Sequence, residues 1–172
     1  MMNKKIQNNK GYTLLFSVLV SSVVLAVGIS ILTISKKEFL LASSARESTT
    51  AFYAADSGLE CAIYSVDNFL DATGQVNVEC LKQTLTTDYV SRGSDISLPD
   101  IFTFDMKMAS PGTKACAIIT VNQYYADDPD LGVLPATTTI ESRGYNLGWN
   151  TGARTCSDPS ARRVERALRY TF

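Results

Sequence analysis

The sequence predicts an α+β protein in which one long N-terminal helix packs on an antiparallel sheet of about four strands. Three observations predict this fold class. An apolar run lies near the N-terminus, a helical pattern of apolar residues follows it, and beyond residue 75 the pattern changes to the two-residue alternation of strands. None of residues 1–98 is proline, so no residue of that type interrupts the helix before the sheet begins.

Composition restricts the classes of function. The chain has 172 residues, no histidine and a net charge of −1. Three lysines lie in the first eleven residues, so residues 12–172 carry four more acidic than basic side chains, which disfavours binding to nucleic-acid phosphates. The absence of histidine removes the commonest general base and metal ligand. We therefore expect that the chain is not an enzyme and has no catalytic residue. We also expect that it binds no metal, cofactor or nucleic acid.

Residues 12–34 predict a membrane-spanning helix. They form a run of 23 residues without a charged side chain, which spans about 34 Å and can cross a bilayer. Because lysines precede the run, we expect a cytoplasmic N-terminus and an extracytoplasmic remainder. A secretory signal peptide cleaved near Ala42 or Ala45 is the alternative, but the apolar region of such peptides is usually only about 7–15 residues long.

Residues 35–70 predict an amphipathic continuation of the same helix into a headgroup. Apolar residues recur there at intervals of three and four, which places them on one helix face. Gly58 is the only glycine between residues 35 and 68, and we expect it to be the weakest point of the helix, by about 1 kcal/mol relative to alanine. The residues of the predicted apolar face are Phe52, Ala55, Leu59, Ala62, Ile63, Val66 and Leu70.

Residues 71–172 predict an extracytoplasmic headgroup built on the sheet. Residues 126–132 and 146–159 are rich in turn-forming residues and predict loops, and residues 76–85 fit either a strand or a short helix. In the last strand Arg166 interrupts an apolar face formed by Val164, Leu168, Tyr170 and Phe172. Strands are predicted at residues 101–108, 114–125, 137–145 and 162–172. In the first of them the alternation places Phe102, Phe104, Met106 and Met108 on one face.

Two segments resemble one known family. The short basic leader that ends in Gly11, followed by Tyr-Thr-Leu and about twenty apolar residues, resembles the class III leader of type IV pilins and type II secretion pseudopilins. The stretch ARESTTAFYAADSGLECAIY (45–64) resembles a segment of PilX-like and GspK-like minor pilins. The resemblance implies a pilin-like fold, cleavage by a prepilin peptidase between Gly11 and Tyr12, and N-methylation of Tyr12.

The resemblance also implies partners and a final location. Residues 1–11 would be the cytoplasmic leader, and the helix from residue 12 would lie in membrane lipid before it joins other pilins in an extracellular filament. The prepilin peptidase and an inner-membrane assembly platform would be the other partners. Small residues favour close helix packing, and the alternative is that they are ordinary residues of a membrane helix. Those available are Ser17, Ser21, Ser22, Ala26, Gly28 and Ser30.

Phe16 departs from the family pattern. It stands at the fifth position after the implied cleavage site, where most family members carry a glutamate that pairs with the N-terminal amine of a neighbouring subunit. Phenylalanine cannot make this pair, and the departure resembles tip-type pseudopilins and PilX-like minor pilins. We therefore expect a minor, tip-proximal subunit that takes part in filament assembly or initiation. An uncleaved, single-pass, membrane-anchored binding module is the alternative.

The four cysteines all lie beyond the apolar run, so they would share one oxidising compartment. Four cysteines allow three pairings. We favour Cys61–Cys80, which would join the helix to the segment after it, and Cys116–Cys156, which would join the central hairpin to the long loop. Four free buried cysteines are the alternative.

Two clusters of charged residues are weaker candidates for sites. Asp127, Asp128 and Asp130 could offer oxygen ligands to calcium, but they lack the spacing of a calcium-binding loop, and a solvated acidic loop is the simpler interpretation. The arginines of the last strand alternate with acidic and apolar residues, which favours a sheet edge over a DNA-binding patch. They are Arg162, Arg163, Arg166 and Arg169.

Overall fold

The computed structural model divides the chain into two compact units, with the boundary between Ser44 and Ala45. Within the described residues the chain forms one helix, a two-stranded ladder and a five-stranded antiparallel sheet. The α+β arrangement with a long N-terminal helix is confirmed, and the sheet is larger than the expected four strands. The described residues are 10–66, 78–85, 87–91, 95, 97–109, 112–128 and 132–172.

Helix α1 is Lys10–Ser65, a run of 56 residues. The described helix includes Lys10 and Gly11. The leader pattern had suggested that Gly11 precedes the helix. The α-helix is described to Ser65, and the expected end at residue 70 lies outside the described residues. Between Tyr12 and Ser44 every side chain is exposed, so the apolar surface of this part of the helix has no partner in the described part of the chain.

The hydroxyl groups of this first unit bond to their own helix. Ser17 Oγ donates to the Leu14 carbonyl oxygen at 2.9 Å, and Ser30 Oγ donates to that of Ala26 at 2.9 Å. A hydroxyl that bonds to the preceding turn is already satisfied when its surroundings are apolar. Ser21, Ser22 and Thr33 make the same kind of bond.

In the second unit the helix buries small side chains. Phe52 and Ile63, which the apolar pattern placed on the buried face, are 42% and 39% exposed. Ala55, Ala62 and Val66 of the same predicted face are buried. The fully buried stripe runs at three- and four-residue spacing through alanines, because only small side chains fit where helix and sheet backbones approach closely. Its fully buried members are Ala51, Ala54, Ala55 and Ala62.

The five-stranded sheet is an antiparallel meander in which the strands lie side by side in chain order. Each strand pairs with the next one along the chain, so no crossover is needed. A separate ladder of β1 (Val78–Cys80) and β2 (Gln83–Leu85) precedes it. The five strands are β3 (Asp88–Val90), β4 (Asp100–Lys107), β5 (Cys116–Asp128), β6 (Gly132–Tyr145) and β7 (Glu165–Thr171).

The core of the second unit lies on one face of this sheet. Along β4 the even-numbered residues are buried and the odd-numbered residues are half-buried, the alternation expected of a strand. Phe104, Met106 and Ile119 are almost fully buried and form a cluster with Ala62 and Val66 at the end of the helix. The alternation of residues 101–108 therefore predicted correctly which face of β4, the second strand of the sheet, is buried.

Two assignments between the strands need correction. The predicted loop at residues 126–132 is shorter, because β5 continues to Asp128 and β6 begins at Gly132, while residues 129–131 lie outside the description. Residues 76–85 contain β1 and β2, joined by Leu81 and Lys82 at φ 50° and 61°. A tight turn with two left-handed residues carries no apolar periodicity, which explains why neither strand nor helix was favoured.

Candidate functional site

The residues of the implied processing site lie in the first turns of α1. Gly11 and Tyr12 are both helical, and Tyr12 is 74% exposed. Phe16 follows one turn later, so its side chain lies on the same helix face as that of Tyr12. Phe16 is 57% exposed. The helix thus presents both the first and the fifth residue after Gly11 outward along one face.

Phe16 belongs to a shallow apolar groove on the helix surface. The groove has no ionisable side chain among its lining residues, and its two hydroxyl groups bond to helix carbonyls. A surface of this kind suits lipid or another apolar helix and offers no counter-charge to an amine. The lining residues are Phe16, Ser17, Val20, Ser21, Val24 and Leu25.

The apolar part of α1 meets the dimensions of a membrane span. Among the described residues, one helix is long and apolar enough to cross a bilayer, and it lies near the N-terminus. No residue in its apolar window is buried within the chain. The first unit can therefore serve as an anchor.

The scaffold of the second unit depends on a close contact between α1 and β6. A β-carbon placed on Gly144 would overlap the carbonyl oxygen of Ala51 and the backbone of Ala55. Gly144 was not singled out in the sequence. A glycine inside a strand pattern often marks a close backbone approach, and that signal was present in residues 137–145.

Gly58 makes the next contact along the same helix face. A β-carbon there would lie 2.6 Å from Ser142 Oγ and 3.1 Å from Ala117 Cβ. Ser142 is fully buried, and its hydroxyl group has no hydrogen-bond partner among the residues that the structure describes. The glycine in YAADSGLE therefore has a packing reason, in addition to its local cost to the helix.

The cysteines form two disulfides with the connectivity favoured above. Cys61 and Cys80 join the helix to β1 with a Cα–Cα distance of 6.0 Å. Cys116 and Cys156 join β5 to the loop between β6 and β7 with a Cα–Cα distance of 5.8 Å. Disulfides fit an oxidising compartment. They also attach the segment around β1, and the loop between β6 and β7, to the regular elements α1 and β5.

The loop between β6 and β7 is held by polar contacts as well as by its disulfide. Asn146 Nδ2 donates to the Arg162 carbonyl oxygen, and the Val164 backbone N–H donates to Asn146 Oδ1 at 2.7 Å. The Arg163 guanidinium lies 3.7 Å from the centre of the Tyr145 ring and donates to the Cys156 carbonyl oxygen. These contacts hold the loop against the end of β6.

The last strand has a more exposed face than its pattern suggested. Tyr170 and Phe172 are 47% and 51% exposed, and their ring centres lie 5.4 Å apart. Arg166, which had no explanation in the sequence, donates from Nε to Ser48 Oγ of the helix at 2.8 Å. A strand at the edge of the sheet is only partly covered by the helix, so its apolar residues stay accessible.

The other charged candidates do not converge on a site. Asp127 is exposed, Asp130 lies outside the described residues, and the described residues contain no group of three potential metal ligands. Arg163 and Arg166 are engaged by Tyr145 and Ser48, as described above. Arg162 and Arg169 are exposed.

Comparison with protein-family models, with curated proteins and with solved structures finds no match to this chain. The structure itself defines a general class. The chain is an α+β protein with a disulfide-bonded sheet unit and one N-terminal helix that is long and apolar enough to span a membrane.

Proposed function

We propose that this chain is a minor type IV pilin or pseudopilin. Its leader is removed between Gly11 and Tyr12 by a prepilin peptidase, the new N-terminus is methylated, and the apolar helix passes from the membrane into a filament with related helices. The unit Ala45–Phe172 is displayed outside the cell. The observation that carries the proposal is the unbroken helix Lys10–Ser65, which starts in the apolar run and ends in the core of the sheet unit.

The small-residue contact of α1 with the sheet supports this role. Ala51, Ala55 and Gly58 bring the helix against β6 (Gly132–Tyr145) and β5 (Cys116–Asp128) within one compact unit. The family resemblance of residues 45–64 thus falls on the residues that join helix to headgroup. A subunit of a filament needs this kind of junction, because its helix packs with other subunits while its headgroup is exposed.

The character of position 16 supports assignment as a minor subunit near the tip. In an apolar bundle each unpaired amine or carboxylate costs several kcal/mol. Phe16 supplies no carboxylate for the amine of a subunit above it. The amine of Tyr12 remains available to a carboxylate of the subunit below. The chain can therefore begin a filament, and a filament made of this chain alone is disfavoured.

N-terminal sequencing and intact-mass analysis of the membrane-extracted protein test the proposal. In cells that contain a prepilin peptidase we expect a chain that begins at a methylated Tyr12. Gly11→Val should accumulate as the uncut precursor, because the position before the cut is expected to accept only small side chains. Gly28→Val is the matched control, since Gly28 lies on the same helix with open space around it. It should be cut normally.

The opposite result favours the other candidate. If the natural chain keeps Met1 in cells that process other prepilins, the pilin proposal is wrong. The chain would then be a single-pass, membrane-anchored binding module.

A further inference from the structure

A polar cleft of about 300 Å³ opens in the second unit between β2, β4 and the loop that follows β6. Its volume is at the lower end of the range for small-molecule sites, so it can hold a group of the size of one side chain. Neither the disulfides nor the helix contact described above uses this cleft.

Two carboxylates line the cleft. Asp105 lies on β4 and is half-buried, and its Oδ2 accepts a hydrogen bond from the Cys156 backbone N–H at 2.8 Å. Asp88, on β3, lines the same space. Burial raises the pKa of Asp105, and the neighbouring charge of Asp88 raises it further. The two carboxylates therefore repel each other in a site where at least one of them is poorly hydrated.

Two arginines lie near the carboxylates, but among the described residues neither of them forms an ion pair with Asp88 or Asp105. Arg163 lowers the pKa of Asp105, but its guanidinium lies over Tyr145 and donates to the Cys156 carbonyl oxygen. Arg154 is the basic residue among those that line the cleft. It is exposed, and its Nη2 contacts the Thr84 carbonyl oxygen at 3.4 Å. With both acids ionised, the lining keeps one net negative charge.

Apolar side chains form another part of the lining. Leu85, Phe104 and Trp149 all border the cleft and are themselves largely buried. A wall of this kind suits an alkyl chain, while the carboxylates suit its charged end. Arginine and lysine side chains combine these two parts, and guanidinium matches carboxylates with directed hydrogen bonds.

We propose that this cleft binds a guanidinium or primary ammonium group on an alkyl chain, with Asp105 and Asp88 as its acceptors and Trp149 beside its methylene groups. The source is either an arginine or lysine side chain of a partner protein or a free organic cation. The proposal does not depend on the filament role, because it rests on residues of the second unit alone.

Tryptophan fluorescence of the full chain in detergent micelles tests this proposal, because Trp149 is the only tryptophan of the chain. The probes are N-acetyl-arginine amide, N-acetyl-lysine amide and the neutral N-acetyl-glutamine amide. We expect a saturable change with one or both cationic probes and none with the neutral probe. Agmatine distinguishes the two sources, since a free-cation site should bind it at least as tightly as the amides.

Variants link the signal to the cleft. Asp105→Asn and Asp88→Asn should each weaken the binding about fivefold or more, the effect of losing one ion pair of about 1 kcal/mol. Asp127→Asn, at an exposed residue on the same sheet, should bind like the natural chain. Circular dichroism of each variant verifies that it is folded. If Asp105→Asn does not fold, Asp88→Asn still provides the test.

Three results would overturn the proposal. The first is the absence of a saturable change with every organic cation. The second is unchanged binding in both folded aspartate variants. The third is a response to calcium without a response to the organic cations, which would assign the carboxylates to a metal.

Discussion

Gly144 on β6 lies directly against Ala55 on α1, so closely that no side chain fits between the two backbones. The contact joins the helix to the fourth strand of the five-stranded meander. Ala51, one turn earlier on the helix, borders the same glycine. The position of the helix on the sheet therefore depends on having a glycine, which has no β-carbon, at residue 144.

Gly144→Ala should destabilise the second unit. The added methyl group would meet backbone atoms that cannot rotate away, so we expect a loss of about 2 kcal/mol or more in the free energy of unfolding. Urea unfolding of the full chain in micelles, followed by Trp149 fluorescence, measures it. Gly152→Ala is the matched control, because its β-carbon would lie 3.5 Å from Asn150 Oδ1 in ordinary contact. Equal stability of the two variants would contradict the contact.

Gly58→Ala sets helix propensity against packing. Alanine is favoured over glycine in a helix by about 1 kcal/mol, but its methyl group would lie 2.6 Å from Ser142 Oγ. We expect packing to win and Gly58→Ala to be destabilising. Ser142→Ala alone should be neutral or stabilising, since it removes a buried hydroxyl group without a partner. In the double variant, Ser142→Ala should recover part of the stability that Gly58→Ala loses. Strict additivity of the two changes in free energy would argue against a contact between residues 58 and 142.

The two disulfides should differ in their contribution to stability. Cys116–Cys156 closes a span of 40 residues and Cys61–Cys80 one of 19. On the chain-entropy account the first contributes about 4 kcal/mol and the second about 3 kcal/mol. Paired cysteine-to-serine variants, compared by thermal unfolding in micelles, should show the larger loss for Cys116 and Cys156. A larger loss for the shorter span would mean that native-state contacts and not chain entropy decide the difference.

Asp105 should make stability depend on pH. Its pKa is raised above the ordinary 3.8, first by burial and then by Asp88. The folded state therefore holds this proton more tightly than the unfolded state, and the contribution of Asp105 to stability falls as the pH rises from about 3.8 through the raised pKa. Asp105→Asn lacks this titration. Its stability relative to the natural chain should increase over that window, and a constant difference from pH 3 to pH 7 would contradict the shift.

If the proposed pilin role is correct, Phe16→Glu should increase the number of copies of this subunit in filaments. A carboxylate at this position could pair with the amine of a subunit above, which would permit incorporation along the shaft. Quantitative mass spectrometry of sheared filaments measures the copy number relative to the major subunit. Phe39→Glu is the control, because it adds the same charge to the same helix far from the N-terminal amine. Natural abundance equal to that of the major subunit would exclude a tip position.

Periodicity was a good guide to the helix and the central strands. The run from Tyr12 predicted a long helix, and the alternation around Phe104 predicted which side of β4 is buried. Both patterns arise because burial repeats with the geometry of the element. The favoured cysteine pairing also agrees with the structure. It required only that each disulfide fasten an irregular segment to a regular one.

The contact face of the helix could not be predicted by looking for large apolar residues. Phe52 was expected inside and is exposed, whereas Ala51 and Gly58 make the contact. Close backbone packing selects for small size, and alanine and glycine give a weak hydrophobic signal. The cleft around Asp105 was missed for a different reason. Its residues come from β2, β3, β4 and a loop about fifty residues further along, and only the fold brings them together.

The hydroxyl groups of the first unit have a consequence for any change in its surroundings. Ser17, Ser21 and Ser30 each donate to a carbonyl oxygen of the preceding turn, so none needs a donor or acceptor from outside. Transfer of this helix from hydrocarbon chains to the side of another helix exchanges one set of dispersion contacts for another and breaks none of these bonds. The free energy of moving the helix between the two environments then depends on shape and contact area, because its hydroxyl groups make the same hydrogen bonds in both.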